Sequence, residues 1–166
     1  MGKLKPTAEL RGTIAALKAE GKTVVLANGC FDLFHVGHIR YLRAAKSKGD
    51  ILVVALNSDR SVRRLKGPGR PILPQKERAE VLSAFSVVDF VTIFGEPMVT
   101  QVLLALKPDI HVKGSDYTRE TVPERETVKS YGGRVAIVGG PKIRNTSQVI
   151  QDMAARMRRA KREGSA

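Results

Sequence analysis

Between an apolar run, Thr23 to Ala27, and a helical pattern that puts Ile39, Leu42 and Ala45 on one face lies Asn28-Gly29-Cys30-Phe31-Asp32-Leu33-Phe34-His35-Val36-Gly37-His38. The apolar run reads as a buried strand and the spacing after it as an amphipathic helix. A glycine-bearing turn from strand to helix leaves backbone N–H groups pointing at the turn, at the positive end of the helix dipole. That is a ready site for phosphate. His35 and His38 stand three residues apart around the first helical turn, so both can face the same anion. Gly37 between them lets a ligand approach the backbone closely. One histidine in such a place would ordinarily be a cap or a satisfied surface group. Two of them flanking a glycine, after Gly-x-Phe-Asp at a strand-to-helix junction, point to anion binding.

The rest of the chain repeats the strand–helix alternation. Residues 7–20 form an amphipathic pattern with Leu10, Ile14 and Leu17 in one stripe and Gly21 as its stop, a helix expected on the outside of a sheet. The helix after the turn is expected to run to about Lys48, and Ile51 to Leu56 is a continuous apolar strand of the kind buried on both faces. Strand, helix, strand is a right-handed βαβ unit. Asn57-Ser58-Asp59 closes that strand and caps a short helix, Arg60 to Leu65, before a Gly/Pro loop, Lys66-Gly67-Pro68-Gly69-Arg70-Pro71. Two cations on such a loop suit an anionic ligand, and a solvated surface loop is an equal alternative. Further helices are expected at Gln75 to Phe85, carrying Arg78, at Pro97 to Leu106 with proline in the first turn, and at Pro123 to Tyr131. Strands are expected at Phe90 to Phe94, Ile110 to Lys113 and Arg134 to Val138, and a last helix from Ser147 to Lys161 capped by Asn145-Thr146-Ser147. The fold expected is α/β: a Rossmann-like, doubly wound, five-stranded parallel sheet with helices on both faces. Its parts are an N-terminal helix over 1–22, the main domain over 23–151, and a basic helix end and tail over 152–166.

Composition narrows the possibilities. A chain of 166 residues holds one full core and is too short for two domains of ordinary size. No stretch has the length and apolarity of a membrane span or of a signal peptide's core, and a single cysteine, Cys30, permits no internal disulfide; a cytoplasmic setting is expected. Cys30 reads as a small packed residue rather than a nucleophile. The net charge of +13 could serve nucleic acid, an anionic surface or small polyphosphates. Only 5% of residues are aromatic and no stacking platform or nucleic-acid motif is visible, so no nucleic-acid partner and no membrane are expected. The C-terminal cluster Arg156, Arg158, Arg159, Lys161 and Arg162 reads as a solvated helix end.

In a doubly wound sheet, ligands sit outside the carboxyl ends of the strands. Segments 28–38, 57–70, 113–117 and 139–147 fall at those ends, so they are expected to form one site. No Gly-x4-Gly-Lys-Ser/Thr loop is present, no Ser-His-Asp or Cys-His arrangement stands out, and two histidines at this spacing lack a third zinc ligand, so no protein-held metal is expected. What remains is a phosphate cradle with cations nearby. That suits transfer at phosphorus, with magnesium carried largely on the polyphosphate's own oxygens.

Gly29 to His38 resembles the Gly-x-Phe-Asp-x-x-His-x-Gly-His signature of the cytidylyltransferase-like nucleotidyltransferases, and the resemblance runs from about Thr23 to Ile150. Asn57-Ser58-Asp59, Lys66-Gly67, Arg70-Pro71, Val88-Asp89, Lys107-Pro108-Asp109 and Val112 to Tyr117 most resemble the heptose 1-phosphate adenylyltransferases, in the form that carries no kinase domain. The resemblance implies transfer of AMP from ATP to heptose 1-phosphate, giving ADP-heptose and pyrophosphate, with the sugar phosphate attacking the α-phosphorus directly. ADP-heptose feeds lipopolysaccharide core or surface-glycan synthesis. The catalytic residues it implies are His35, His38 and Lys66. Nucleotide contacts would come from Gly29, Cys30, Phe31, Asp32, Gly37, Lys113, Gly114, Asp116, Asn145, Thr146 and Ser147. Asn57, Arg70 and Arg78 would serve the acceptor or triphosphate. Asn145 stands where family members commonly carry serine, with a cap and an amide donor retained. The expected partners are ATP with Mg2+ and a sugar phosphate, in a homodimer.

Other readings share part of this pattern. A cytidylyltransferase acting on glycerol 3-phosphate would carry the same histidine signature, since base choice depends on loops near 111–117 and 138–147. An adenylyltransferase acting on FMN is a further alternative. Of a different class is a non-catalytic basic module that binds RNA or an anionic surface through the tail, which would bind RNA in a salt-dependent way and release no pyrophosphate.

Overall fold

The computed structural model describes residues 2–140 and 146–163. Its strands are β1 (Val24–Gly29), β2 (Ile51–Asn57), β3 (Phe90–Phe94), β4 (Ile110–Lys113) and β5 (Arg134–Ile137), and its helices α1 (Thr7–Ala19), α2 (Val36–Lys46), α3 (Asp59–Lys66), α4 (Gln75–Ala84), α5 (Thr100–Leu106), α6 (Arg125–Ser130) and α7 (Thr146–Glu163). The strands form one sheet in the order β3-β2-β1-β4-β5, and each neighbouring pair is parallel.

Strand alternation sends successive side chains to opposite faces. Val25, Ala27, Leu52, Val54 and Leu56 pack with Leu42 and Ala45 of α2 and with Ala79 and Leu82 of α4. Val24, Leu26, Val53 and Ala55 pack with Leu10 and Ile14 of α1, Val102, Leu103 and Leu106 of α5, and Val128 of α6. Both faces are therefore covered, which is why β1 and β2 read as unbroken apolar runs. A fully buried valine or leucine contributes about 1.5–3 kcal/mol, so these two layers dominate the fold's stability.

The doubly wound parallel sheet is as expected, and the differences lie at element ends. β1 runs on past Ala27 because Gly29 pairs with Leu56, and β2 includes Asn57 because it pairs with Phe94. The helix expected from Pro97 begins at Thr100. The carbonyl of Glu96 accepts from Ser61 Oγ at 2.9 Å, and the Glu96 carboxylate accepts from the Gly95 N–H at 3.1 Å, which holds the preceding residues as a turn. The helix expected from Pro123 begins at Arg125, after a turn closed by the Arg125 N–H on the Val122 carbonyl at 3.1 Å. Lys3 to Lys5 lie along the outer edge of β3, where the Val91 N–H meets the Lys3 carbonyl and the Lys5 N–H meets the Val91 carbonyl, each at 2.9 Å. A single bridge of this kind has no periodicity to read.

β1 and β4 are neighbours although the chain leaves them for opposite sides of the sheet. Their carboxyl ends therefore splay around a crevice, the switch point of a doubly wound sheet.

Candidate active site

At that crevice the β1–α2 turn brings the two histidines together. His35 is the extended N-cap residue of α2, and its Nδ1 accepts the Gly37 N–H at 3.2 Å. His38 Nδ1 accepts the His35 N–H at 3.4 Å, and the two rings stack with centroids 3.9 Å apart. This is a capping box built from imidazoles. It changes the expected donor set, because the Gly37 N–H is spent on His35. With both Nδ1 atoms accepting, the proton of each neutral ring belongs on Nε2. Burial, reinforced by His35, lowers the His38 pKa to about 4, so at neutral pH that ring is an uncharged donor.

Phe31 shapes the turn from beneath. Its φ is +45°, and its buried ring packs on Phe34 and Tyr41 at centroid distances of 5.9 and 6.4 Å and on the His38 ring at 5.1 Å. Any side chain at position 29 would place its Cβ 3.0 Å from that ring, which is why the turn needs Gly29. With the Phe31 ring in the core, only its backbone is left to meet a ligand.

Two side chains expected to bind ligand are instead structural ties. Arg78 is 1% exposed. Its Nε donates to the Leu73 carbonyl, Nη1 to the carbonyls of Cys30 and Asn57, and Nη2 to the Asp59 carboxylate. The side chain is buried with four of its N–H groups already bonded, so the expectation for Arg78 is corrected: it staples the ends of β1 and β2 to the loop before α4. Asp32 is likewise 1% exposed, accepting from Arg70 Nε and from the N–H groups of Ile72, at 2.6 Å, and Leu73, at 3.2 Å. It clamps the Lys66–Pro71 loop against the turn, and its carboxylate is not available to a nucleotide. Asn57 is also buried and donates its amide to Ser61 Oγ at 2.9 Å. Burial pushes the Cys30 thiol up against the pull of Lys66 and Arg78, which suits a packed thiol rather than a nucleophile.

Across the crevice, Lys113 at the end of β4 lies 3.2 Å from the buried Glu124 carboxylate and 5.3 Å from the Tyr117 ring centroid. Burial lowers the Lys113 pKa, and Glu124 acts against that shift. Gly139, at φ +98°, packs on Tyr41, whose hydroxyl donates to the Val112 carbonyl at 2.9 Å.

Both walls enclose one cavity of about 780 Å³. Of the expected residues it is lined by Gly29, Cys30, Phe31, Asp32, His35, Gly37, His38, Asn57, Lys66, Arg70, Lys113, Gly114, Asp116 and Thr146. Arg78 lies beneath it, Asn145 falls outside the described residues, and the side chain of Ser147 is not described.

Residues 26–159 match the cytidylyltransferase-like family. The chain belongs to that family. The chain is 48% identical over 149 residues to a bifunctional protein HldE of Syntrophotalea carbinolica and 50% identical over 149 residues to that of Geobacter sulfurreducens. Each comparison covers 90% of this chain and 30% of the relative, so this cytidylyltransferase-like chain spans about a third of their length. The crystal structure of the lipopolysaccharide core biosynthesis protein from Thermoplasma volcanium superposes with a TM-score of 0.61 at 34% identity, covering 71% of this chain and 95% of that one. A pantoate-beta-alanine ligase from Francisella tularensis, at 16% identity and a TM-score of 0.60 over 89% of this chain and 69% of that one, shares the fold.

The structure adds cavity-lining residues of this cytidylyltransferase-like chain that sequence reasoning missed: Asn28, Arg40, Tyr41, Met98 and Glu124. Asn28 opened the motif and could have been read from its place at the strand end. Glu124 sits far along the chain from its partner Lys113, and no spacing rule connects them. Among the described residues no three His, Cys, Asp or Glu side chains cluster to hold a metal. Asp32 is spent on Arg70 and backbone N–H groups and leaves no carboxylate edge for a metal ion.

Proposed function

We propose that this nucleotidyltransferase moves AMP from ATP to heptose 1-phosphate, giving ADP-heptose and pyrophosphate. The observation that carries the reading is the stacked, tautomer-fixed His35–His38 pair lining the cavity, with Lys66 and Lys113 on its walls. The choice of sugar phosphate is supported by near-half identity to the HldE proteins over most of the chain.

In the proposed step a phosphate oxygen of the acceptor bonds to the α-phosphorus while the bond from that phosphorus to the bridging oxygen breaks, and pyrophosphate leaves with the electron pair. A phosphate nucleophile has no proton that must first be removed. The histidines therefore need not act as bases, and their task is to donate hydrogen bonds to oxygens that gain charge. A neutral, tautomer-locked imidazole at His38 suits that task. The lysines add fixed positive charge, and the magnesium that arrives with ATP shields the triphosphate. Dependence on ATP supports a cytoplasmic setting. Among the described residues no helix is long and apolar enough to cross a membrane.

Pyrophosphate release, with ATP and CTP each crossed against heptose 1-phosphate, glycerol 3-phosphate and FMN, tests the reading. Release with ATP and heptose 1-phosphate alone is the expected result. Release with CTP and glycerol 3-phosphate would overturn the substrate assignment and keep the chemistry.

A further inference from the structure

Asn28 shares a face of β1 with Val24 and Leu26, and His111 projects from the same side of the sheet on β4, where its backbone pairs with Leu26. His111 is 0% exposed, and its Nε2 lies 3.1 Å from Asn28 Oδ1. An amide oxygen only accepts, so Nε2 carries the proton and Nδ1 is a bare acceptor, which has no partner. Burial and the neighbouring Lys113 ammonium disfavour charging the ring, so His111 stays neutral across the working pH range.

The bond fixes the amide's direction. With its oxygen turned to His111, Asn28 leaves its NH2 for the cavity it lines, on the face of the sheet that also carries Lys113. An amide free to turn over would present an oxygen there in some molecules and repel an anion. A leucine at position 111 would fill similar space without an orphaned buried acceptor, so a histidine here costs stability unless it serves another purpose.

Building on the phosphoryl-transfer reading of the site, we propose that Asn28 is a further ligand-binding residue. Its Nδ2–H donates to a phosphoryl oxygen of the bound substrate, and His111 is the positioning residue that decides which end of the amide faces the cavity. The claim concerns a phosphoryl oxygen of either the triphosphate or the acceptor, and kinetics distinguish the two. His111→Leu is expected to keep or raise Tm while KM for one of the two substrates rises roughly tenfold, the cost of one hydrogen bond to a charged group. Asn28→Ala is expected to match that loss, and the double variant to be no worse than Asn28→Ala alone. A structural role for His111 would instead lower Tm and leave KM unchanged, or give additive kinetic losses, and either result overturns the proposal.

A second measurement is independent of turnover. Titrating inorganic pyrophosphate into 15N-labelled wild-type chain should shift the Asn28 side-chain NH2 resonances, and Asn28→Asp, which replaces the NH2 by an anionic oxygen, should weaken pyrophosphate binding roughly tenfold or more. Unmoved resonances together with unchanged binding by Asn28→Asp would overturn the inference. If pyrophosphate binds as expected while no substrate pair releases it, the proposed function fails and this assignment stands.

Discussion

The two walls of the cavity are built differently. On the β1–β2 side the backbone is tied down by buried polar side chains: Arg78 holds three carbonyls, and Asp32 holds Arg70 and two N–H groups. On the β4 side, Ser115 to Thr121 are exposed, and Lys113 pairs with Glu124 and lies over the Tyr117 ring. Transition-state charge is stabilised best by donors that need not reorganise, and these are the donors placed on the tied wall. The exposed wall can adjust to whatever the rest of a ligand requires.

Four experiments would break or sharpen this contrast. His38→Ala removes a donor from the rigid wall and should lower turnover by about 10²–10³-fold with the fold retained, measured as pyrophosphate release beside Tm. Near-wild-type turnover would remove the histidine from the chemistry. Arg78→Met touches no ligand, yet it strands three carbonyls and the Asp59 carboxylate. It should cost about 3–5 kcal/mol in urea unfolding. A loss under 1 kcal/mol would mean that the tied wall does not depend on its staple.

Acidification should weaken the fold through one group on each side of the crevice. His38 and His111 titrate at about 4 and about 3 in the fold, both below the ordinary value of 6.5. The unfolded chain therefore binds more protons in this range, and stability is lost as pH falls from about 6.5 towards 3. Urea midpoints across that range should show the decline, and His111→Leu should flatten part of it. Smallest is Tyr117→Ala on the exposed wall, where loss of an exposed cation–π contact should change KM by about two- to fivefold. A loss as large as that of His38→Ala would erase the distinction between the walls.

The sheet was legible because β1 and β2 carry their burial as continuous apolar runs, and the histidine turn because its spacing is specific. The role of Arg78 was not legible. A lone arginine on a helix looks the same in sequence whether it meets phosphate or backbone carbonyls, and only the third dimension shows its four bonds already made. The same holds for Asp32, whose partners lie some forty residues on. The histidines were read as ligands with capping as the ordinary alternative, and the structure shows them as caps. Capping is what sets the tautomer a ligand would meet.

Phe31 has one more consequence. A residue with a Cβ at φ +45° sits where the isolated backbone pays about 1–2 kcal/mol, and here it is held by ring packing against Phe34 and Tyr41 in the main core. A peptide spanning the motif would therefore relax away from this shape, and the cradle exists only while the core beneath it is closed. Occupancy of the cavity and integrity of the core are then one equilibrium seen from two ends. A tight phosphate ligand should raise the melting temperature, and loosening the aromatic packing should weaken that ligand without touching any group that contacts it.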